Sequence, residues 1–309
     1  MGGEEFKFID WIRRQDSGKR GRVEIGIGDD ACGLNVSGQR LVLITTDMLL
    51  EGTHFDLATA TARQVGRKAV GVNLSDIAAM GVGAAVLVAS VGLRRGSGME
   101  FAKELYLGMK EQGDRFDVPI SGGDVTSWDG GLTISITALG VDEGLKPVRR
   151  SGARAGDVIC VTGELGGSLL GKHLEFVPRL TEGIALNRGY ELHAMIDISD
   201  GLAADLGHIL EESGVGAEVE IERIPVSQDA RRAGERSGRP AVSHALTDGE
   251  DYELVFTLGQ NEAERLLGSP PFETRVSRIG RIVKGKGLKL VGADGRERKM
   301  DLGGYEHGF

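Results

Sequence analysis

LVLITT (residues 41–46), followed directly by Asp47, is the stretch whose reading decides the fold. Its run of β-branched and aliphatic residues predicts a buried strand. The acid behind it points to a ligand edge, because α/β sheets bind ligands beyond the ends of their strands. Working outward, residues 61–80 repeat apolar side chains at helical spacing, and residues 101–112 place Phe101, Leu105 and Met109 on one helical face. Residues 84–91, 118–120 and 132–139 read as further strands. A basic, glycine-bearing stretch, PVRRSGARAG (147–156), interrupts the alternation and marks a boundary, giving domains at 1–148 and 149–309. Beyond it, residues 157–162, 215–224, 252–258, 276–283 and 287–291 read as strands. Residues 201–212 predict an amphipathic helix with Leu202, Leu206, Ile209 and Leu210 inward, and 227–239 a charged surface helix. The alternation predicts a two-domain α/β (α+β) protein.

Composition narrows the function. The 309 residues are 40% hydrophobic, enough for packed cores. A net charge of −9 argues against nucleic acid as a partner. No apolar run approaches the ~18 residues of a membrane span, and residues 1–8 lack a signal-peptide core, so a cytoplasmic location is expected. Two cysteines exclude a zinc framework, and Cys32 reads as core packing. The 49 glycines have no collagen period and imply tight turns and close backbone approaches.

The aspartates carry the chemistry. Asp29 and Asp30 sit in GIGDDA, Asp47 after LVLITT, Asp124 after PISGG, Asp197 and Asp200 in MIDISDG, and Asp248, Glu250 and Asp251 in LTDGEDYEL. Each set is read at the end of an apolar segment, beside glycine or a small hydroxyl residue. Asp76 follows Val72, Ala69 and Val65 by 4, 7 and 11 residues, which sets it on the inward stripe of its helix. A carboxylate there is costly unless paired or bound to a cation, and Arg67 and Lys68, the nearby candidates for a purely structural pairing, fall elsewhere on the wheel. Single acids of this kind also cap helices and hold turns, as Asp200 would before Gly201. Convergence of five such segments would instead create mutual repulsion that a hard, oxygen-loving dication relieves, and magnesium suits carboxylates and phosphates.

Other site classes fail on detail. GIGDDA (26–31) fits a loose dinucleotide pattern but puts two acids where a pyrophosphate would approach. P-loop, protein-kinase, HExxH and G-x-S-x-G signatures are absent, and DISDG departs from an EF-hand loop. A carboxylate-rich, glycine-lined magnesium site matches the needs of phosphoryl transfer, which is mainly positioning and charge neutralisation.

At these motifs the chain resembles the thiamine-monophosphate kinases, of the superfamily that includes aminoimidazole ribonucleotide synthetase. The matching segments are GIGDDA (26–31), TTDMLLEGTHF (45–55), GRKAVGVNLSDIAAMG (66–81), SGGDVT (121–126), RSGARAGD (150–157), MIDISDGLAADLGHI (195–209) and GEDYELVFT (249–257). The resemblance implies ATP-dependent phosphorylation of thiamine monophosphate to thiamine diphosphate. It implies several magnesium ions held by Asp30, Thr45, Thr46, Asp47, Asp76, Asp124, Asp197 and Asp200. It places Tyr106, Gly123, Asp124, Arg150 and Ser199 at ATP, and His54, Glu250 and Tyr305 at the thiamine substrate. Catalytic roles fall to Asp47, Asp76, Asp124 and Arg150. The fold it implies pairs N-terminal sheets into a barrel across a homodimer. Thr247-Asp248 departs from the family by placing an extra negative charge near a cationic substrate. A cyclase or ligase of the cousin family and a non-catalytic cation binder remain alternatives, and a product assay separates them.

Overall fold

The computed structural model describes residues 4–15, 22–36 and 40–300, so Tyr305 lies outside the described residues. A first sheet contains β1 (Val23–Ile25), β2 (Cys32–Asn35), β3 (Leu41–Leu50), β4 (Gly83–Arg94), β5 (Ile120–Trp128) and β6 (Thr133–Val141), in the order β1-β2-β3-β6-β4-β5. A second contains β7 (Val158–Thr162), β8 (Leu192–Asp197), β9 (Gly216–Glu220), β10 (Leu254–Leu258), β11 (Val276–Val283), β12 (Gly287–Val291) and β13 (Glu297–Met300), in the order β13-β12-β9-β11-β7-β10-β8. Both sheets are open and mostly antiparallel, with β4–β5 and β9–β12 as the parallel pairs. The helices are α1 (Glu4–Gln15), α2 (Ala62–Ala79), α3 (Gly98–Asp114), α4 (Leu180–Gly189), α5 (Leu202–Ser213), α6 (Gln228–Ser237), α7 (Ala241–Thr247) and α8 (Gln260–Gly268).

Helix α2 joins the two halves. Thr61 and Gln64 close a capping box at its start, satisfying two backbone donors. It contacts β3, β4 and β6 on one side and α4 and β8 on the other. A helix covered on both flanks has little use for a polar face, so Val65, Val70, Leu74 and Ile77 on different sides are all buried. Helix α3 crosses it at backbone contact: a Cβ on Gly108 would stand 1.9 Å from the Arg63 carbonyl, and one on Gly66 2.1 Å from that of Leu105. Part of the glycine excess is spent here. One apolar cluster runs from the first sheet through α2 to Cys160, Met195 and Phe256 on the near face of the second sheet. Another fills the far face beneath α5 and α7.

Three expectations need correction. Strand β3 is not doubly buried: Leu41, Leu43, Thr45 and Leu49 face the core, while Met48 and Leu50 on the other face are exposed. Alternation within a one-sided sheet explains this. Asp47 and Asp124 do not lie at strand ends, because β3 runs on to Leu50 and β5 extends from Ile120 to Trp128. Cys32 is exposed on β2, whereas its neighbour Gly33 turns inward. Cys160 is buried, and burial pushes its thiol up to about 12.

Candidate active site

The acids of four segments meet in one cavity of about 560 Å³ between the two sheets. The loop before β2 brings Asp29 and Asp30, β3 brings Thr45 and Asp47, α2 brings Asp76, and the end of β8 brings Asp197. Carboxylate oxygens of Asp30, Asp76 and Asp197 lie within 4.8 Å of one another. Small donors position them. Thr45 donates its hydroxyl to Asp76, Ser75 donates to Asp197 at 2.6 Å, and the Asp47 amide donates to Asn73 Oδ1 at 3.1 Å. Asp76 is therefore held by neither Arg67 nor Lys68, which pair with other acids.

Such a cluster is electrostatically unfavourable by itself. Burial, with Asp30 and Asp47 nearby, pushes Asp197 up to about 7. Burial raises Asp47 to about 6. Burial, then the charges of Asp47, Asp197 and Asp30, drives Asp76 well above the carboxylate range. Asp30 Oδ2 is buried with no hydrogen-bond partner. An orphaned carboxylate oxygen among three crowded acids is the donor set a hard dication takes, so these residues fit magnesium.

A measurable consequence follows from the sign of these shifts. A carboxyl raised in the folded state is destabilising while charged, and the penalty fades as pH falls through the folded pKa. Without divalent cations the protein should gain stability on acidification from about pH 8 to about pH 5.5. Magnesium well above its dissociation constant should raise the melting temperature at pH 8 by roughly 5 °C, and by less at the lower pH. Thermal melts at both pH values, with and without chelator, check this; a magnesium effect equal at both would contradict it.

Arg150 sits beside the cluster. Its Nη2 and Nε donate to Asp30 Oδ1 at 2.6 and 3.2 Å, and its amide donates to Asp29 at 2.8 Å. Ser199 and Asp200 line the cavity from the β8–α5 turn. Asp200 does not cap α5. Asp205, buried on the first turn, accepts from the amides of Asp200 and Gly201 at 3.1 and 3.0 Å. Asp200, Asp205 and His208 bring their ligand atoms together in a second group.

His54 and Glu250 line the same cavity, with Thr53, Val72, Leu169 and Tyr252. His54 Nδ1 accepts the Leu50 amide at 3.0 Å, so a neutral ring carries its proton on Nε2. Asp248 also lines the cavity; it is hydrogen-bonded to His244 at 2.7 Å, and Arg239 at 3.8 Å partly offsets its charge.

Of the remaining expected residues, Tyr106, Gly123 and Asp124 are not brought to the cavity. Thr46 lies along it, yet its hydroxyl faces away and donates to the Ile136 carbonyl at 3.0 Å, as alternation from Thr45 and Asp47 requires. Tyr106 is an exposed residue of α3. Gly123 and Asp124 lie on the edge strand β5, exposed from Ser121 to Trp128. A Cβ at Gly123 would meet the Ala89 carbonyl at 1.9 Å, so strand pairing alone accounts for that glycine. Sequence reasoning passed over Ser75, Asn73, Asp205 and Lys68. Of these, Lys68 left a signal: a cation that opens the apolar run KAVGV inside a helix must find a partner if it is buried.

Comparison with known proteins identifies the family. Residues 28–141 match the N-terminal domain of AIR synthase related proteins, and residues 161–293 match the C-terminal domain. The chain is 39% identical to the thiamine-monophosphate kinase of Rhodopirellula baltica, over 93% of this chain and 92% of that one. It belongs to the thiamine-monophosphate kinase family. Another member, from Mycobacterium tuberculosis, is 36% identical over 95% of this chain and 88% of its own. A solved structure described as AaThiL complexed with AMPPCP and TMP superposes with a TM-score of 0.84 at 30% identity, covering 99% of each chain. A hydrogenase-maturation HypE structure at 23% identity, TM-score 0.71, shares the fold. Among the described residues of this family member, no helix is long and apolar enough to cross a membrane.

Proposed function

We propose that this protein transfers the γ-phosphoryl group of ATP directly to the phosphate of thiamine monophosphate, giving thiamine diphosphate and completing its biosynthesis. The observation that carries this reading is the meeting of Asp30, Asp47, Asp76 and Asp197 in one cavity, with an unpartnered oxygen on Asp30. A relative of the same fold has been captured with AMPPCP and TMP, a non-hydrolysable ATP analogue and the acceptor.

The acceptor phosphate has a second pKa near 6 and is mostly a dianion at neutral pH. It is already nucleophilic, so the cavity needs no general base. The residues' task is to bring two polyanions into line. Asp30, Thr45, Asp47, Asp76, Asp197 and Asp200 would hold magnesium ions, which supply charge neutralisation and alignment when bound. Asp124 and Thr46 would complete that set, Thr46 through its main chain. Arg150, Ser199, Gly123 and Tyr106 would bind the nucleotide. His54 and Glu250, with Tyr305, would take the thiamine moiety.

A homodimer belongs to this reading. The exposed β5 edge carries Val125 and Trp128, and the outer face of the sheet adds Met48, Leu50 and Val88. A strand with one open edge and apolar neighbours invites pairing with a second sheet. Closure into a barrel there would cover Gly123 and Asp124. The working division places the nucleotide and dimer functions in 1–148 and the second sheet in 149–309.

The test is to incubate the purified protein with ATP, magnesium and thiamine monophosphate and follow products by mass spectrometry. Thiamine diphosphate with stoichiometric ADP is expected. Turnover of a purine precursor instead would favour the cyclase reading, and no phosphoryl transfer to any acceptor would end the proposal.

A further inference from the structure

Among the described residues, Lys68 is one of the largest fully enclosed side chains and one of the few charged ones in the interior; its residue is 1% exposed. It extends from α2 in the first half of the chain. Its ammonium donates to the His54 carbonyl at 2.6 Å and pairs with Glu250 Oε2 at 2.5 Å. His54 belongs to the loop after β3, and Glu250 to the turn before β10 in the second half. One ammonium thus joins two segments that line the cavity, across the boundary between the sheets.

The backbone of the Glu250 turn is fixed by other contacts. Gly249, Glu250 and Tyr252 all have positive φ, at 73°, 56° and 50°, a conformation that persists only where the surroundings over-determine it. The Glu250 amide donates to Ser199 O at 2.6 Å and that of Tyr252 to Ile198 O at 2.8 Å. Asp251 accepts from the Gly166 amide at 2.9 Å. The Tyr252 ring stacks on Phe176 at 4.0 Å. None of these contacts sets the direction of the Glu250 carboxylate. Lys68 does.

We infer that Lys68 is a positioning residue for the acceptor substrate. It aims the Glu250 carboxylate into the cavity, ties it to the His54 loop, and offsets its charge, so that Glu250 meets its ligand as an oriented hydrogen-bond acceptor instead of a free anion. Lys68 and Asp76 stand eight residues apart on α2, about 12 Å of helix rise, so one rigid element sets the spacing between the acceptor groups and the metal groups. This rests on the thiamine-monophosphate reading of the site.

The experiment is steady-state kinetics of Lys68→Met and Lys68→Arg beside the unmodified enzyme, varying each substrate separately. Lys68→Met should raise KM for thiamine monophosphate by roughly 10-fold or more, with KM for ATP within about 3-fold, and Lys68→Arg should recover part of the loss. A merely structural lysine would lower the folded fraction, and with it kcat, while leaving both KM values unchanged; that result overturns the inference. Should Lys68→Met not fold, Glu250→Gln and Lys68→Met/Glu250→Gln are compared, since neither leaves a lone buried carboxylate. The double variant should have a KM for thiamine monophosphate about 3-fold or more above the single one, because the His54 contact is lost too. Equal values overturn the inference. If the unmodified enzyme makes no thiamine diphosphate, it is the functional reading that has failed.

Discussion

Replacing Asp76 by asparagine is expected to cut phosphoryl transfer on the order of 10³-fold or more while making the metal-free protein more stable. The two effects have opposite signs for one reason. Asp76 stands among Asp30, Asp47 and Asp197, and burial with their charges holds its carboxyl far above the usual range. In the unfolded chain that penalty is absent. At about pH 8 the folded state therefore carries a cost that asparagine removes, and the gain should shrink as the pH falls and the carboxyl takes up a proton. Asparagine is nearly the same shape, and its Oδ1 can still accept the Thr45 hydroxyl that now donates to Asp76. What it cannot supply is negative charge for a dication. The variant should accordingly lose most of the stabilisation that magnesium gives the unmodified protein. Melts with and without magnesium, together with product formation at saturating magnesium, check both halves. Activity within about 10-fold of the unmodified enzyme would remove Asp76 from the site.

The site was more legible in the sequence than the sheet that carries it. Asp76 could be placed because helical spacing is rigid: once Val65, Ala69 and Val72 define a stripe, the position of residue 76 follows. Asp30, Asp47 and Asp197 could be grouped because short polar residues beside apolar runs mark where buried backbone reaches a cavity. Which face of β3 enters the core was harder to read, since LVLITT is apolar on both sides and only its pairing with β6 decides. Strand β5 was the weakest reading. ISGGDVTSW alternates nothing and carries two glycines, so its pattern resembles a loop; it is a strand because β4 offers a parallel partner from Leu87 to Arg94. For that reason Asp124 was read beyond a strand end, although it lies within β5. Strand β8 and the short helices α4, α7 and α8 were not read as elements, although the acids flanking β8 and α7 were. Lys68 was visible yet unexplained, because its partners are distant in sequence: 14 residues to His54 and 182 to Glu250.

Arg150→Met is expected to be the most damaging change to stability, and the damage should depend on magnesium. The Asp30 side chain is 1% exposed, and Arg150 supplies two hydrogen bonds to its Oδ1. Removing the guanidinium leaves a buried carboxylate without compensation, a loss of about 3–5 kcal/mol when one partner of a buried pair is deleted. Arg150→Lys should fall between the two, since an ammonium keeps the charge but not the planar fork. Arg150 also anchors the start of the second half, its amide on Asp29 and its carbonyl accepting from Ser213, but these main-chain contacts survive substitution. The loss is therefore electrostatic, centred on Asp30 and felt also by Asp29, Asp197 and Asp205. If Asp30 Oδ2 is a magnesium donor, the dication replaces part of the missing charge, and saturating magnesium should recover roughly half of the stability lost at about pH 8. Denaturant unfolding of both variants, with magnesium or with chelator, measures the difference. A loss of the same size in both conditions would mean that Asp30 serves the fold alone, and the metal set would have to be redrawn around Asp47, Asp76 and Asp197.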